Sequence, residues 1–147
     1  MIGWTGLGLV RASVNVSDCE ADWESNCRIP DIAVFLTGTS ARDRDSHWLG
    51  GPDFVGEIRS PNDETRDRLP FYAGVGVKEL LLLDPAPWRL EPYQRQGDQL
   101  VLAGKSTAES MAVLRSSVLP IHFRLVPAES RRRIEVIRAE GTDRWVV

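Results

Sequence analysis

The run Glu79-Leu80-Leu81-Leu82-Leu83-Asp84-Pro85 constrains this chain more than any other stretch. It is the most apolar run of the sequence, too short to cross a membrane as a helix and stopped by proline, so it reads as a buried strand at the centre of a sheet. A second strand precedes it. Asp53-Phe54-Val55-Gly56-Glu57-Ile58-Arg59 follows Gly50-Gly51-Pro52 and runs into the turn Ser60-Pro61-Asn62-Asp63. Between the two strands, Leu69, Tyr72, Ala73 and Gly76 recur at helical spacing over residues 64–75. Pro70 kinks that helix or confines it to short halves, and Gly74 and Gly76 end it. A strand, a helix and a strand predict a right-handed crossover and a locally parallel pair.

The flanking segments extend the sheet. Residues 7–16 alternate at Leu9, Ala12, Val14 and Val16 and read as a strand, and residues 18–28 read as a polar loop. Ile29-Pro30-Asp31-Ile32-Ala33-Val34-Phe35-Leu36 is nearly continuous in apolar residues, as expected of a central strand covered on both faces. Beyond Pro87 the pattern changes to strands at 88–94, 100–102, 121–126, 134–137 and 145–147, joined by tight turns such as Gln96-Gly97-Asp98. This half is expected to be antiparallel, with residues 107–114 forming a short helix or a loop. The fold class is therefore α/β, in the sense of an α+β mixed sheet. Residues 1–126 are expected to form its domain and residues 127–147 a C-terminal β-hairpin extension of it.

A length of 147 residues, 42% of them hydrophobic, fits one compact domain. Lys and Arg total 18 against 21 Asp and Glu, a formal charge of −3, which excludes a protein that coats nucleic acid or anionic membrane by bulk charge. Any nucleic-acid contact is expected to be local. Cys19 and Cys27 have neither a disulfide framework nor a zinc spacing around them and read as free thiols. The first ten residues have no basic segment or cleavage site and are followed by Arg11, so they read as neither a signal peptide nor a membrane span. A cytoplasmic location is expected.

Chemistry is expected where two carboxylates on neighbouring strands meet. Asp31 and Glu57 are placed for this, because Glu57 and Arg59 project to one side of their strand and Ile58 to the other. Two hard oxygen ligands on a rigid sheet suit a magnesium ion that keeps several waters, able to orient a phosphodiester and activate water. Spacing alone does not decide the matter. An Asp after Pro also initiates strands, and a Glu in a strand also pairs with a nearby Arg. His47 and His122 stand alone, and Arg131-Arg132-Arg133 lies between Glu129 and Glu135, so these read as structural or solvated. Gly3-Trp4-Thr5-Gly6-Leu7-Gly8 is not a nucleotide loop, since it joins no strand to a helix and lacks the Lys-Ser/Thr ending.

The string says more than the spacing. Arg28-Ile29-Pro30-Asp31-Ile32-Ala33-Val34-Phe35, then Gly51-Pro52-Asp53-Phe54-Val55-Gly56-Glu57-Ile58-Arg59-Ser60-Pro61, then Arg68-Leu69-Pro70-Phe71-Tyr72-Ala73 with Gly76-Val77-Lys78-Glu79-Leu80 and Asp84-Pro85, resembles the Uma-type restriction endonuclease family of the PD-(D/E)XK nuclease-like superfamily. The resemblance runs from about Arg28 to Tyr93 with all blocks in order. It implies a restriction-endonuclease-like core and a divalent-metal site for Mg2+ or Mn2+, with Asp31 matching the first acidic ligand and Glu57 the second. Asp53 matches a recurrent position and reads as strand-entry structure.

The basic residue that similar nucleases place as Lys after the Glu is commonly moved onto the following helix in this family, where this chain has Arg68; its in-strand position is Arg59. Lys exchanges a proton when its pKa shifts, whereas Arg stays charged and holds a phosphate. The competing reading of Arg68 is a solvated helix residue paired with Glu64 four residues earlier. Relatives usually begin with a helix and a further strand that this chain lacks, so it reads as N-terminally truncated or as having its start assigned too late.

The leading expectation is a metal-dependent endonuclease in which Asp31 and Glu57 bind the ion and Arg68 or Arg59 steadies the scissile phosphate. Its partners would be nucleic acid, DNA first, and a second copy of the chain, with no membrane. The rival is a nuclease-like fold without turnover, acting as an interaction or nucleic-acid-binding module. Arg in place of Lys, the acidic charge balance and the short front support that rival.

Overall fold

A computed structural model describes residues 8–63, 65–129 and 133–147. Its main sheet is built from β1 (Gly8–Ala12), β2 (Ile32–Leu36), β3 (Phe54–Ile58), β4 (Glu79–Pro85), β5 (Trp88–Gln96) and β6 (Gln99–Leu102), side by side in that order, with Ser106–Thr107 also pairing β5. The β3–β4 pair is parallel and the other neighbours are antiparallel. The crossover between β3 and β4 carries a 3-10 turn, Thr65–Arg68, and the six-residue helix α1 (Leu69–Gly74).

Pro70 explains this division. It sits in the first turn of α1, where its missing N–H would have no helical partner, and the chain before it turns more tightly. At the other end Gly76 takes φ +97°, a conformation costly for side-chain-bearing residues. The loop entering β3 meets this helix end closely. Gly51 N donates to Val75 O at 2.7 Å, and a Cβ on Gly51 would come within 2.8 Å of the Val75 side chain.

Alternation sorts the core into two layers. Leu80 and Leu82 of β4 point with Val55 and Tyr93 toward Tyr72, Ala73, Val75 and Val77. On the opposite face Val34, Phe54 and Leu90 pack against Leu119, Phe123 and Leu125. The last two of these belong to β7 (Ile121–Val126), which joins Leu114–Arg115, β8 (Arg133–Arg138) and β9 (Arg144–Val146) in an antiparallel sheet covering that face. A third small sheet assembles from Cys27–Arg28, Val16–Ser17, Trp48–Leu49 and Arg42–Asp43.

The mixed sheet, its parallel centre and its antiparallel later half agree with the sequence expectation. Two local expectations need correction. The strand expected over residues 7–16 is interrupted, because Ser13 adopts φ +52° and Val16–Ser17 pairs elsewhere, parallel to Trp48–Leu49. The polar segment 18–28 contains a 3-10 turn at Trp23–Asn26 and ends in the short strand Cys27–Arg28. Of residues 107–114, positions 108–113 form a turn-rich loop between two short strands, Gly3-Trp4-Thr5-Gly6-Leu7 and Arg131-Arg132 lie outside the described residues, and both cysteines are free thiols. Among the described residues no helix is long and apolar enough to cross a membrane.

Candidate active site

The β2–β3 register opposes Ile32 to Gly56 and Ala33 to Val55, so continuing the ladder outward brings Asp31 beside Glu57. Backbone donors hold both carboxylates. Asp31 N donates to Glu57 Oε2 at 3.4 Å, and Ile58 N donates to Asp31 Oδ2 at 2.7 Å. Asp31 is exposed, whereas Glu57 is buried with 5% of its surface accessible. Among the described residues neither carboxylate forms an ion pair, and no third His, Cys, Asp or Glu joins them in a metal-sized cluster.

The helix supplies the other wall. Tyr72 is wholly buried and donates its O–H to Glu57 Oε1 at 2.5 Å. Burial pushes the Glu57 carboxyl above the usual glutamate range and the nearby Asp31 charge adds to this, outweighing the opposing effects of the Tyr72 and Asp31 donors and the Arg68 charge. Burial and the Glu57 carboxylate together push the Tyr72 phenol far up, so it stays a donor at any working pH. Arg68, four residues before Tyr72, contacts Asp63 at 3.5 Å and remains partly exposed. Glu64 lies outside the described residues.

Arg59 is engaged elsewhere. Its Nη1 donates to Asp84 Oδ2 at 2.8 Å, and Arg89 Nη2 holds the same oxygen at 2.9 Å. The neighbouring Glu91 takes Arg66 at 2.7 Å and Arg89 at 3.2 Å. Of the two basic candidates, then, Arg68 is the one whose charge acts on Glu57, though its contact is with Asp63, while Arg59 is spent on a structural carboxylate. Asp53 follows its strand-entry reading. Its carboxylate accepts from Leu36 N at 2.8 Å and pairs with Lys78 Nζ at 2.7 Å, tying the end of β2 to the start of β4.

A cleft of about 750 Å3 is lined by Cys27, Arg28, Ser60, Asp63, Asp67 and Arg68, among others; Asp31 and Glu57 are not part of its lining. The family model of Uma2, described as "Putative restriction endonuclease", matches residues 5–126. The chain belongs to the Uma2 family. No curated protein matches it. It is similar to a solved structure described as "a putative nuclease belonging to DUF820 from Anabaena variabilis ATCC 29413", at 20% identity and a TM-score of 0.49. That likeness covers 84% of this chain and 61% of the other, so the chain spans less than two thirds of its length.

In this Uma2 member, sequence reasoning missed Tyr72, which reads there only as an apolar helix position. The available signal is its interval from Arg68: residues four apart on a helix share a face, so a phenol follows the basic residue toward the same carboxylate. The Asp84–Glu91 cluster was also missed, since nothing in a linear string shows that its three arginines converge. His47 is buried and stacks on Trp23 with centroids 4.9 Å apart, in keeping with a structural reading.

Proposed function

We infer that this Uma2 chain is a metal-dependent phosphodiesterase of the PD-(D/E)XK type acting on nucleic acid, DNA in the first instance. The observation that carries this reading is a pair of adjacent carboxylates, Asp31 and Glu57, that form no ion pair among the described residues. The donor set fits a hard divalent ion, Mg2+ or Mn2+: two carboxylates, one exposed just before β2 and one buried on β3, with the remaining positions left to water. Such an ion would polarise the phosphodiester and lower the pKa of a water beside it.

The chain's own groups do the rest. Tyr72 and the Asp31 amide fix the two oxygens of Glu57, so its remaining lone pairs are presented in one orientation. Arg68 steadies the phosphate through charge and hydrogen bonds; as a permanently charged group it does not accept a proton. Arg in place of the Lys that the family resemblance implies favours a second reading, a binding module without turnover.

Calorimetry with Mn2+ and Mg2+ tests the metal site. The parent is expected to bind one ion, and Asp31→Ala and Glu57→Ala to lose that binding while staying folded. A parent that binds no ion, or an Asp31→Ala variant that binds as tightly as the parent, overturns the metal reading. Metal binding and DNA binding without any cleavage would assign the binding-module reading instead.

A further inference from the structure

Arg28 ends the short strand three residues before Asp31, and its position in the cleft has no role yet. Its guanidinium lies over the Phe71 ring, 5.0 Å from the centroid, and Nη1 donates to Cys27 O at 2.9 Å. Both contacts hold the group in place without neutralising it. Among the described residues Arg28 forms no ion pair, whereas Arg59, Arg66, Arg68 and Arg89 around the site each contact a carboxylate. Arg28 and Arg68 both line the cleft.

A side chain packed on an aromatic face, half-buried and without a counter-ion, is prepared to receive an anion. Packing has already removed much of its rotamer freedom, so a planar, bidentate acceptor is bound at a lower entropic cost. We propose that Arg28 is the second phosphate-binding group of this site, gripping a backbone phosphate of the nucleic acid next to the one that Arg68 steadies. The short segment between Arg28 and Asp31 then measures one interval of the substrate backbone against the carboxylate pair. The ligand chemistry is a phosphodiester backbone, read by charge and shape and not by base. This rests on the nuclease reading for its substrate but requires no bound metal.

The test is metal-free binding of a short fluorescent DNA duplex in EDTA, followed across a chloride titration. Arg28→Gln is expected to weaken binding roughly tenfold, the loss of one charge-assisted hydrogen-bonded contact. It should also flatten the slope of log affinity against log salt by about 0.9, one phosphate contact. Arg28→Lys should keep the slope and lose part of the affinity, because it retains the charge without the planar fork. Mn2+ binding of both variants should match the parent.

A parent-like slope and affinity for Arg28→Gln would reduce Arg28 to a packing residue. Should that variant fail to fold, parent-like affinity in Arg28→Lys overturns the proposal equally. A parent that binds no DNA in EDTA sinks the nuclease reading together with this one. A parent that binds DNA but no Mn2+ sinks the metal site alone.

Discussion

Asp31 and Glu57 at the β2–β3 end, and Asp84 and Glu91 on β4 and β5, are neighbouring carboxylate pairs on one sheet, yet three guanidiniums hold the second pair and, among the described residues, none pairs with the first. Glu57, Leu82 and Glu91 even share a single cross-strand row. The environments differ chiefly by partners, since Glu57 and Glu91 are both buried, although Asp31 is exposed and Asp84 is not. Their titration differs in sign. The Asp84 carboxyl is pushed up by burial, but the Ala86 amide and the Arg59 and Arg89 guanidiniums outweigh that and hold it below the usual range. For Glu57 the Tyr72 and Asp31 donors and the Arg68 charge oppose burial without outweighing it. A carboxylate that the fold neutralises is architecture; one that it leaves to be neutralised from outside is where a cation would act.

The largest expected effect comes from breaking the compensated pair. Asp84→Ala removes the acceptor shared by Arg59, Arg89 and the Ala86 amide, and should cost about 2 to 4 kcal/mol of stability in denaturant unfolding. That range stays below the cost for a wholly buried pair because both guanidiniums keep contact with water. Asp31→Ala should change stability by no more than about 1 kcal/mol, since it removes an exposed carboxylate with a single backbone donor. Equal losses at the two positions would erase the distinction between them.

A smaller effect sharpens the contrast at the open pair. If Arg68 holds phosphate without moving a proton, Arg68→Lys restores a side chain able to do both and should raise metal-dependent cleavage of a generic DNA substrate severalfold. A rate equal to the parent's would assign Arg68 to phosphate binding alone or to the helix surface, and DNA affinity at two salt concentrations separates those two outcomes.

The parts of this contrast legible in the sequence are those carried by period and order. The Leu80-Leu81-Leu82-Leu83 run, Gly and Pro punctuation and the intervening helix specify a parallel β3–β4 pair, and alternation puts Glu57 and Arg59 on one face. What alternation does not carry is the partner across the next strand. Asp84 takes Arg59 because the β3–β4 register sets them side by side, a relation fixed by tertiary pairing between distant residues. The break at Ser13 was hidden for a related reason: a polar residue within an alternating pattern gives no sign that it will adopt positive φ. Tyr72 was hidden by its chemistry, since a tyrosine on an apolar face reads as core until its hydroxyl's acceptor is known.

The smallest effect is a slope, and its sign distinguishes the two pairs. A carboxyl whose folded pKa is raised favours the folded state while protonated, so the Glu57 contribution is fully present below the ordinary glutamate value of 4.5 and is lost as pH rises through the higher folded pKa. Asp84, held low, works the other way: its contribution is present above the ordinary aspartate value of 3.8 and is lost as pH falls through its folded pKa. In chelator, the parent should therefore lose stability relative to Glu57→Gln as pH climbs above 4.5, in thermal unfolding at matched ionic strength. Adding Mn2+ should reverse that trend, because the ion replaces the proton on Glu57 and its affinity grows with pH as the proton is released. A parent and variant whose stabilities run parallel across this range, with and without Mn2+, would show that Glu57 is as well compensated as Asp84, and the open pair would no longer differ from the closed one.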